Sequence, residues 1–249
     1  KTVRTTCSYC GVGCNLEVAV KSDEVLSIRA PQDAVNAGHT CLKGRYAFKF
    51  YNHEDRLKSP LIRKNGELVP CSWDEALDFI KDKFESIKAN DGSDAIAGIS
   101  SARCTNEENY MFQKMIRQLV GTNNIDCCAR VCHSPTAWGM QQSFGTGAGT
   151  NSTADIPLAD LLLVIGANPT SAHPVTGAKI KQQAMSGATL VVIDPVRTEL
   201  ARMADHHLQL KPGTNVAVLN MMQYYIVEAG LVDHQFIQDR CEGGEEFLE

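Results

Sequence analysis

The chain has 249 residues, of which 43% are hydrophobic and 21% charged, with a formal net charge of −5. That length buries a sizeable core without staples, and the acidic excess gives no electrostatic case for nucleic acid or an anionic lipid surface. No apolar run approaches the ~20 residues of a membrane-spanning helix; the longest, Leu158 to Ala167, is broken by Asp160 and Gly166.

The sequence starts at Lys1 rather than Met and shows no signal peptide, so the natural N-terminus is expected to lie upstream. Residues 1–58 are rich in Cys and Gly. Short alternating segments there, such as Leu16-Glu17-Val18-Ala19-Val20, read as β-hairpins. In residues 59–126, Ser72 with Glu75 forms a capping box for a helix whose apolar side is Trp73, Ala76, Leu77, Ile80, Phe84 and Ile87. A short strand over Ala95 to Ile99 follows. Thr105 and Glu108 repeat the capping signal, with Met111, Phe112, Met115, Ile116 and Leu119 expected inward and Gly121 as the stop.

Residues 127–249 alternate strand and helix. Leu161 to Ile165 reads as a parallel strand buried on both faces. Val175 to Met185 reads as a helix, Thr189 to Ile193 as a strand, and His207 to Leu210 as another. A helix from about Val216 to Ala229 stops at Gly230, and a further helical pattern is under way at Gly244–Glu249 when the sequence stops, as if it were cut. The series implies an α/β fold with a Rossmann-like parallel sheet, whose ligands bind beyond the carboxyl ends of the strands.

Ten cysteines are many for this length. A disulfide framework suits small secreted chains, so metal ligation and catalysis are the better readings for some of them. Cys7, Cys10 and Cys14 form C-x2-C-x3-C, with Gly11 and Gly13 between them to let the backbone curl; Cys41 follows after 26 residues. Three thiols from one loop and a fourth from elsewhere suit a [4Fe–4S] cluster better than the paired knuckles of structural zinc, and disulfides come third. Lys43, two residues on, reads by base rate as a solvated lysine, although it sits beside the expected cluster.

Cys127, Cys128 and Cys132 form a second group. Ser134 and Pro135 look like the cap and first residue of a helix ending at Gly145, which puts Cys132 and His133 at a helix start with Arg130 nearby. A thiolate is favoured there and could serve as a nucleophile or soft-metal ligand, with His133 as a proton carrier. The alternative, a buried structural cysteine, stands level for Cys132 on local sequence and is preferred for Cys127 and Cys128. The loop from Gly145 to Thr153 is small-residued but lacks a Walker pattern. Gly166-Ala167-Asn168-Pro169, Asp194-Pro195 and Lys211-Pro212-Gly213-Thr214 end three strands, and Thr214 or Asn215 can cap the next helix. Without G-x-G-x-x-G an ordinary NAD site is disfavoured, yet three polar turns at one sheet edge suit a nucleotide-bearing ligand.

Taken together, these pieces resemble the molybdopterin oxidoreductase family, and within it the formate dehydrogenases. The segments that carry the resemblance are Cys7-Ser8-Tyr9-Cys10-Gly11-Val12-Gly13-Cys14, Cys41-Leu42-Lys43-Gly44-Arg45, Ala129-Arg130-Val131-Cys132-His133-Ser134-Pro135, Gly166-Ala167-Asn168-Pro169 and Leu210-Lys211-Pro212-Gly213-Thr214-Asn215. The resemblance implies a small β-rich iron–sulfur domain (1–58), an α/β segment (59–126) and an incomplete Rossmann-like domain for molybdopterin guanine dinucleotide (127–249), a truncated form of the family's fold. It implies that Cys7, Cys10, Cys14 and Cys41 hold a [4Fe–4S] cluster and that Lys43 lies on the electron path to a pterin. Cys132 would ligate the molybdenum or tungsten of a bis(molybdopterin guanine dinucleotide) cofactor, where some relatives carry selenocysteine, and His133 would assist proton transfer from formate. Gly166, Ala167, Asn168, Asp194, Arg197, Thr198, Gly213, Thr214 and Asn215 would line one guanine dinucleotide, and Arg103 would approach a pterin. Asn215 stands where many relatives have Asp.

The implied reaction is two-electron oxidation of formate to CO2 or its reverse, in the cytoplasm, with an iron–sulfur, flavin/NAD or hydrogenase-type subunit or domain as electron partner. The substrate arginine and much of the second pterin's site would fall beyond Glu249, so the piece alone is expected to be inactive. The alternatives are a nitrate reductase of the same family, a non-catalytic electron-relay subunit and a zinc-bound module; the Cys132-His133-Ser134-Pro135 continuation favours formate.

Overall fold

The computed structural model describes residues 1–51 and 53–248, so Glu249, the last residue of the helical pattern expected at the end of the sequence, lies outside the described residues. The chain divides into two compact units, Lys1–Asp155 and Ile156–Glu249. The segment bearing Cys127, Cys128 and Cys132 therefore packs with the N-terminal half.

In the first unit β1 (Thr2–Thr6), β2 (Asn15–Lys21) and β3 (Glu24–Arg29) form an antiparallel sheet in that order. The alternating Leu16–Val20 segment lies within β2 of the β2–β3 hairpin. Its turn at Ser22 and Asp23 has φ of 49° and 63°, which short polar side chains tolerate best after glycine. Then follow α1 (Leu42–Tyr46), the hairpin β4 (Leu61–Lys64) and β5 (Glu67–Pro70), α2 (Trp73–Asp91), β6 (Gly98–Ser100), α3 (Asn106–Lys114), β7 (Ile125–Cys127), α4 (Ala129–Cys132) and α5 (Ser134–Phe144). β6 and β7 pair in parallel.

The two capping signals behave differently. At α3 the box is complete: Thr105 Oγ1 accepts from the Glu108 N–H at 3.2 Å, and Glu108 Oε2 accepts from the Thr105 N–H at 2.7 Å. At α2 only half forms, because Ser72 Oγ accepts from Glu75 N–H while the Glu75 carboxylate turns to Lys64 Nζ at 2.7 Å.

The core of this unit gathers Ile96, Ile116 and Val120, with Phe84, Ile87, Phe112, Met115 and Ile125 packed around them. Trp73, Leu77 and Ile80, expected inward, are exposed instead, since this core lies under the C-terminal half of α2 only. After Lys114 the helix loosens to an i→i+5 turn over Met115–Val120, closed by Gly121 N–H on Ile116 O at 3.0 Å. The wider turn changes the helical phase; Val120 is 1% exposed where the regular pattern had put Leu119, which is 74% exposed. The strand expected over Ala95 to Ile99 begins later, at Gly98, because Gly92 (φ 85°) starts a 3-10 turn, Ser93–Ala95.

In the second unit β8 (Leu161–Ile165), α6 (Pro169–Ala172), α7 (Pro174–Met185), β9 (Thr189–Ile193), α8 (Glu199–Met203) and β10 (His206–Leu208) build a parallel sheet in the order β10-β9-β8. Next come α9 (Asn215–Glu228), α10 (His234–Arg240) and α11 (Gly244–Leu248). The core is Ile180, Leu190, Val192, Leu200 and Ala201, with Leu162 and Val164 against it. β8 is thus covered on one face. As the edge strand of this sheet it leaves Leu161, Leu163 and Ile165 exposed, contrary to the expected two-sided burial. Gly177 lets α7 run close to α6, because a Cβ there would meet the Thr170 backbone at 2.8 Å. No helix of the described residues is long and apolar enough to cross a membrane.

Leu190 is fully buried at the centre of this sheet. Leu190→Ala in the full-length protein is expected to cost about 2–5 kcal/mol, read as faster hydrogen exchange at the amides of β8, β9 and β10. Exchange at the wild-type rate would mean that this cluster does not hold the sheet.

Candidate functional site

The loop between β1 and β2 curls as its glycines suggested. Cys7 N–H donates to Cys14 O at 2.8 Å, and Gly13, at φ 64°, donates its N–H to Cys10 O at 3.3 Å. Cys14 is buried, while Cys7 and Cys10 are half-buried. Cys41, also half-buried, occupies the extended residue ahead of α1, and its carbonyl accepts the Arg45 N–H at 3.0 Å. Arg45 Nη1 in turn donates to Ile28 O at 2.7 Å, fastening α1 to β3. A Cβ on Gly44 would sit 3.6 Å from Cys7 Sγ, so α1 lies directly against the three-cysteine loop.

The four thiols sense one another. Burial first, then repulsion from Cys7, Cys10 and Cys41, pushes the Cys14 thiol up to about 11. Burial likewise raises Cys7, with Cys41 and Cys10 adding to it against a backbone hydrogen bond that lowers it. Such a group cannot ionise together without a cation to offset desolvation and mutual repulsion. Bound iron would supply that charge in place of the thiol protons. Among the described residues no three Cys, His, Asp or Glu side chains draw tight enough to hold a single ion. Cys7, Cys10 and Cys41 nonetheless lie near enough to Cys14 to act on it electrostatically. The residues present fit a [4Fe–4S] group.

The Cys132 segment follows β7. Cys132 ends α4 and His133 sits at the joint with α5 (φ −125°, ψ 1°); both side chains are exposed. The cap differs from expectation: His133, not Ser134, precedes the first turn, and Pro135 is the second helical residue. Ser134 Oγ donates back to Ala129 O at 2.9 Å. Gly145 closes α5 at φ 70° as read. Arg130 is held by Asp126 at 2.7 Å, and the bonded guanidinium keeps the Asp126 carboxyl below its usual range. Its charge is therefore spoken for and is not directed at Cys132. Cys128 is exposed rather than buried, and its Sγ accepts the Ala102 N–H at 3.2 Å. Cys128 N–H also reaches Ser100 O at 3.2 Å, so the loop carrying the exposed Arg103 is tied to the start of α4. Asn109 braces that loop through Ser101 O, Cys104 O and Thr105 O. Lys43 is exposed on α1, two residues after Cys41.

In the second unit Gly166 and Asp194 follow the paired carboxyl ends of β8 and β9, and Arg197, Thr198 and residues 213–215 lie in the segments that follow β9 and β10. Gly166, at φ 57°, ends β8 and donates its N–H to Ile193 O at 2.9 Å. Ala167 and Asn168 follow, Asn168 Oδ1 accepting from Thr170 Oγ1 at 2.9 Å. Asp194, buried, ends β9; its Oδ1 accepts the Val196 N–H at 2.7 Å and its carbonyl meets His207 Nε2 at 2.9 Å. Thr198 is buried as the cap of α8, and Arg197 beside it is exposed. Gly213 has φ 86°. Thr214 precedes α9 without capping it, since its hydroxyl donates to Lys211 O at 2.7 Å, and Asn215 is already helical. The first N–H groups of α9 thus have no side-chain cap, as an anion-binding turn requires.

Comparison with known proteins now decides the family. The sequence pattern described as molybdopterin oxidoreductase matches residues 56–238, and that of the molybdopterin oxidoreductase Fe4S4 domain matches residues 1–53. The chain belongs to the molybdopterin oxidoreductase family. Its cofactors are accordingly a [4Fe–4S] cluster and a bis(molybdopterin guanine dinucleotide) with molybdenum or tungsten. The chain is 46% identical to F420-dependent formate dehydrogenase 1 subunit alpha of Methanococcus maripaludis, across 98% of its own length and 36% of that subunit. It is 42% identical to formate dehydrogenase H of Escherichia coli, across 99% of its length and 36% of that protein. Acetylene hydratase from Pelobacter acetylenicus shares the fold, with a TM-score of 0.77 and 28% identity over 100% of this chain and 34% of that one. The chain thus spans about a third of the length of these family members.

Sequence reasoning missed Asn36, Arg45 as an anchor, and Asn109. For the first, the Asn36-Ala37-Gly38 run was the available signal, since Asn and Gly mark left-handed turns.

If the four thiols hold the cluster, Cys14→Ser in the full-length enzyme is expected to lower iron from about four atoms per chain and to bleach the visible absorption. Iron content and spectrum unchanged from wild type would remove Cys14 from the ligand set.

Proposed function

We propose that the chain is the cluster- and pterin-binding part of a formate dehydrogenase, oxidising formate to CO2 or catalysing the reverse. The observation that carries this is the exposed Cys132–His133 pair at the α4–α5 joint, on a chain whose first 41 residues gather four thiols. The identities of 42–46% with formate dehydrogenases support the substrate, whereas the family fold alone, shared with a hydratase at 28%, does not choose it.

In this reading a pterin-bound metal would supply two-electron chemistry and the cluster one-electron transfer. Cys132 supplies a soft sulfur ligand to molybdenum or tungsten. His133, next to it and exposed to solvent, takes the proton of formate on a ring nitrogen and returns it to water. Lys43, exposed on α1 two residues after Cys41, would offer an ammonium on the electron path from cluster to pterin, and Arg103 on its braced loop would offer a guanidinium for a polar pterin edge. Residues 1–58 hold the cluster and 59–126 form the α/β segment that follows. In 127–249, Gly166, Ala167, Asn168, Asp194, Arg197, Thr198, Gly213, Thr214 and Asn215 receive one guanine dinucleotide at the sheet edge and the start of α9. An iron–sulfur, flavin/NAD or hydrogenase-type subunit or domain in the cytoplasm takes the electrons.

Cys132→Ser in the full-length enzyme tests this. Formate turnover is expected to fall at least about a hundredfold, consistent with loss of a direct metal ligand, while cluster iron stays at the wild-type level. A variant that kept its molybdenum or tungsten and full turnover would overturn the assignment, and wild-type turnover of nitrate instead of formate would move the chain to the nitrate reductases.

A further inference from the structure

Asn36 is the one polar side chain with no exposure among the described residues. Its carboxamide is fully engaged. Oδ1 accepts the Asn15 N–H at 2.9 Å, and Nδ2 donates to Asn15 O at 3.2 Å and to His39 O at 2.7 Å. The His39 N–H also donates to Asn36 O at 2.8 Å, so Asn36 grips His39 from backbone and side chain together. Asn15 follows Cys14 directly, and His39 precedes Cys41 by two residues.

We propose that Asn36 is a positioning residue whose buried carboxamide fixes the fourth cysteine, Cys41, relative to Cys7, Cys10 and Cys14 before iron arrives. The intervening chain has to turn back sharply to make this contact. Ala37 and Gly38 adopt φ of 41° and 77°, and Gly38 N–H closes on Pro31 O at 2.9 Å. One side chain therefore bridges the segment that ends the three-cysteine loop and the segment that delivers the single thiol. No aliphatic residue can replace it, because three backbone groups in a part-buried site would lose their partner. Aspartate keeps one acceptor but loses both donations and sets a carboxylate against two carbonyl oxygens. A shifted Cys41 changes how closely solvent and backbone dipoles approach the cluster, and these set its potential.

The inference rests on the cluster assignment above. It is tested in the full-length holoenzyme with Asn36→Asp and Asn36→Ser. The expected result is a changed spin-resonance spectrum of the reduced cluster, a displaced midpoint potential and several-fold faster loss of iron to a chelator. Molybdenum or tungsten content and far-ultraviolet dichroism should stay at wild-type values. An unchanged spectrum and rate of iron loss in a folded variant would sink the proposal. If neither variant folds, the wild-type enzyme stripped of cluster iron decides. The Asn15 amide should remain protected from hydrogen exchange there, and rapid exchange means that the contact does not precede iron. Cys14→Ser separates the two levels: unaltered iron in that variant defeats the ligand assignment, whereas iron lost there with unaltered Asn36 variants defeats only the positioning role.

Discussion

Four thiols held partly out of water, close enough to repel one another, set the terms for the N-terminal part of this protein. Burial and the neighbouring sulfurs make Cys7 and Cys14 resist ionisation, Cys14 with its thiol pushed up to about 11. The loop backbone is committed to this arrangement by the Cys7–Cys14 hydrogen bond and by the left-handed Gly13. Sheet β1-β2-β3 exists in large part to hold that loop and, through Ile28 and Arg45, the helix behind Cys41. The cost of gathering the sulfurs is met by conformational rigidity, and it is recovered when a cationic group occupies the space between them.

The second unit solves a different problem with backbone alone. Parallel pairing of β8, β9 and β10 aligns three carboxyl ends, so Gly166 and Asp194 follow neighbouring strands at one edge. The buried Asp194 and Thr198 spend their hydrogen bonds on shaping the turn and capping α8. What remains for a ligand is chiefly main chain: flexible glycines and the uncapped first turn of α9. This division suits a large cofactor with phosphates and a flat base, which needs room and N–H groups more than charge.

Much of this was legible in the residues. Strands β8 and β9 fell on the expected residues because continuous apolar runs bounded by Gly and Pro leave little freedom, and the α3 cap was written in Thr105 and Glu108. The errors came from tertiary context. Periodicity could not foresee that the core touches only half of α2, or that a wide turn rotates Leu119 outward. Local propensity put the cap at Ser134, whereas the short α4 before it pulled the hydroxyl back to Ala129. Nor could spacing reveal Arg130 paired with Asp126 or a Cys128 thiol accepting a main-chain N–H, since those depend on which loops meet in space. The cysteine spacing itself carried the metal chemistry, because four soft ligands in that pattern have few other uses.

The separation of Cys41 from its three companions has a bearing on how such a protein is made. As the chain leaves the ribosome, the first three cysteines emerge as a loop with nothing to complete them, and only after another 26 residues does the last sulfur appear. Iron delivered too early would meet an open, oxidisable half-site. The Asn36 turn and α1 bring the last sulfur to its companions, so the order of synthesis leaves the metal site to be completed only after residue 41 has emerged.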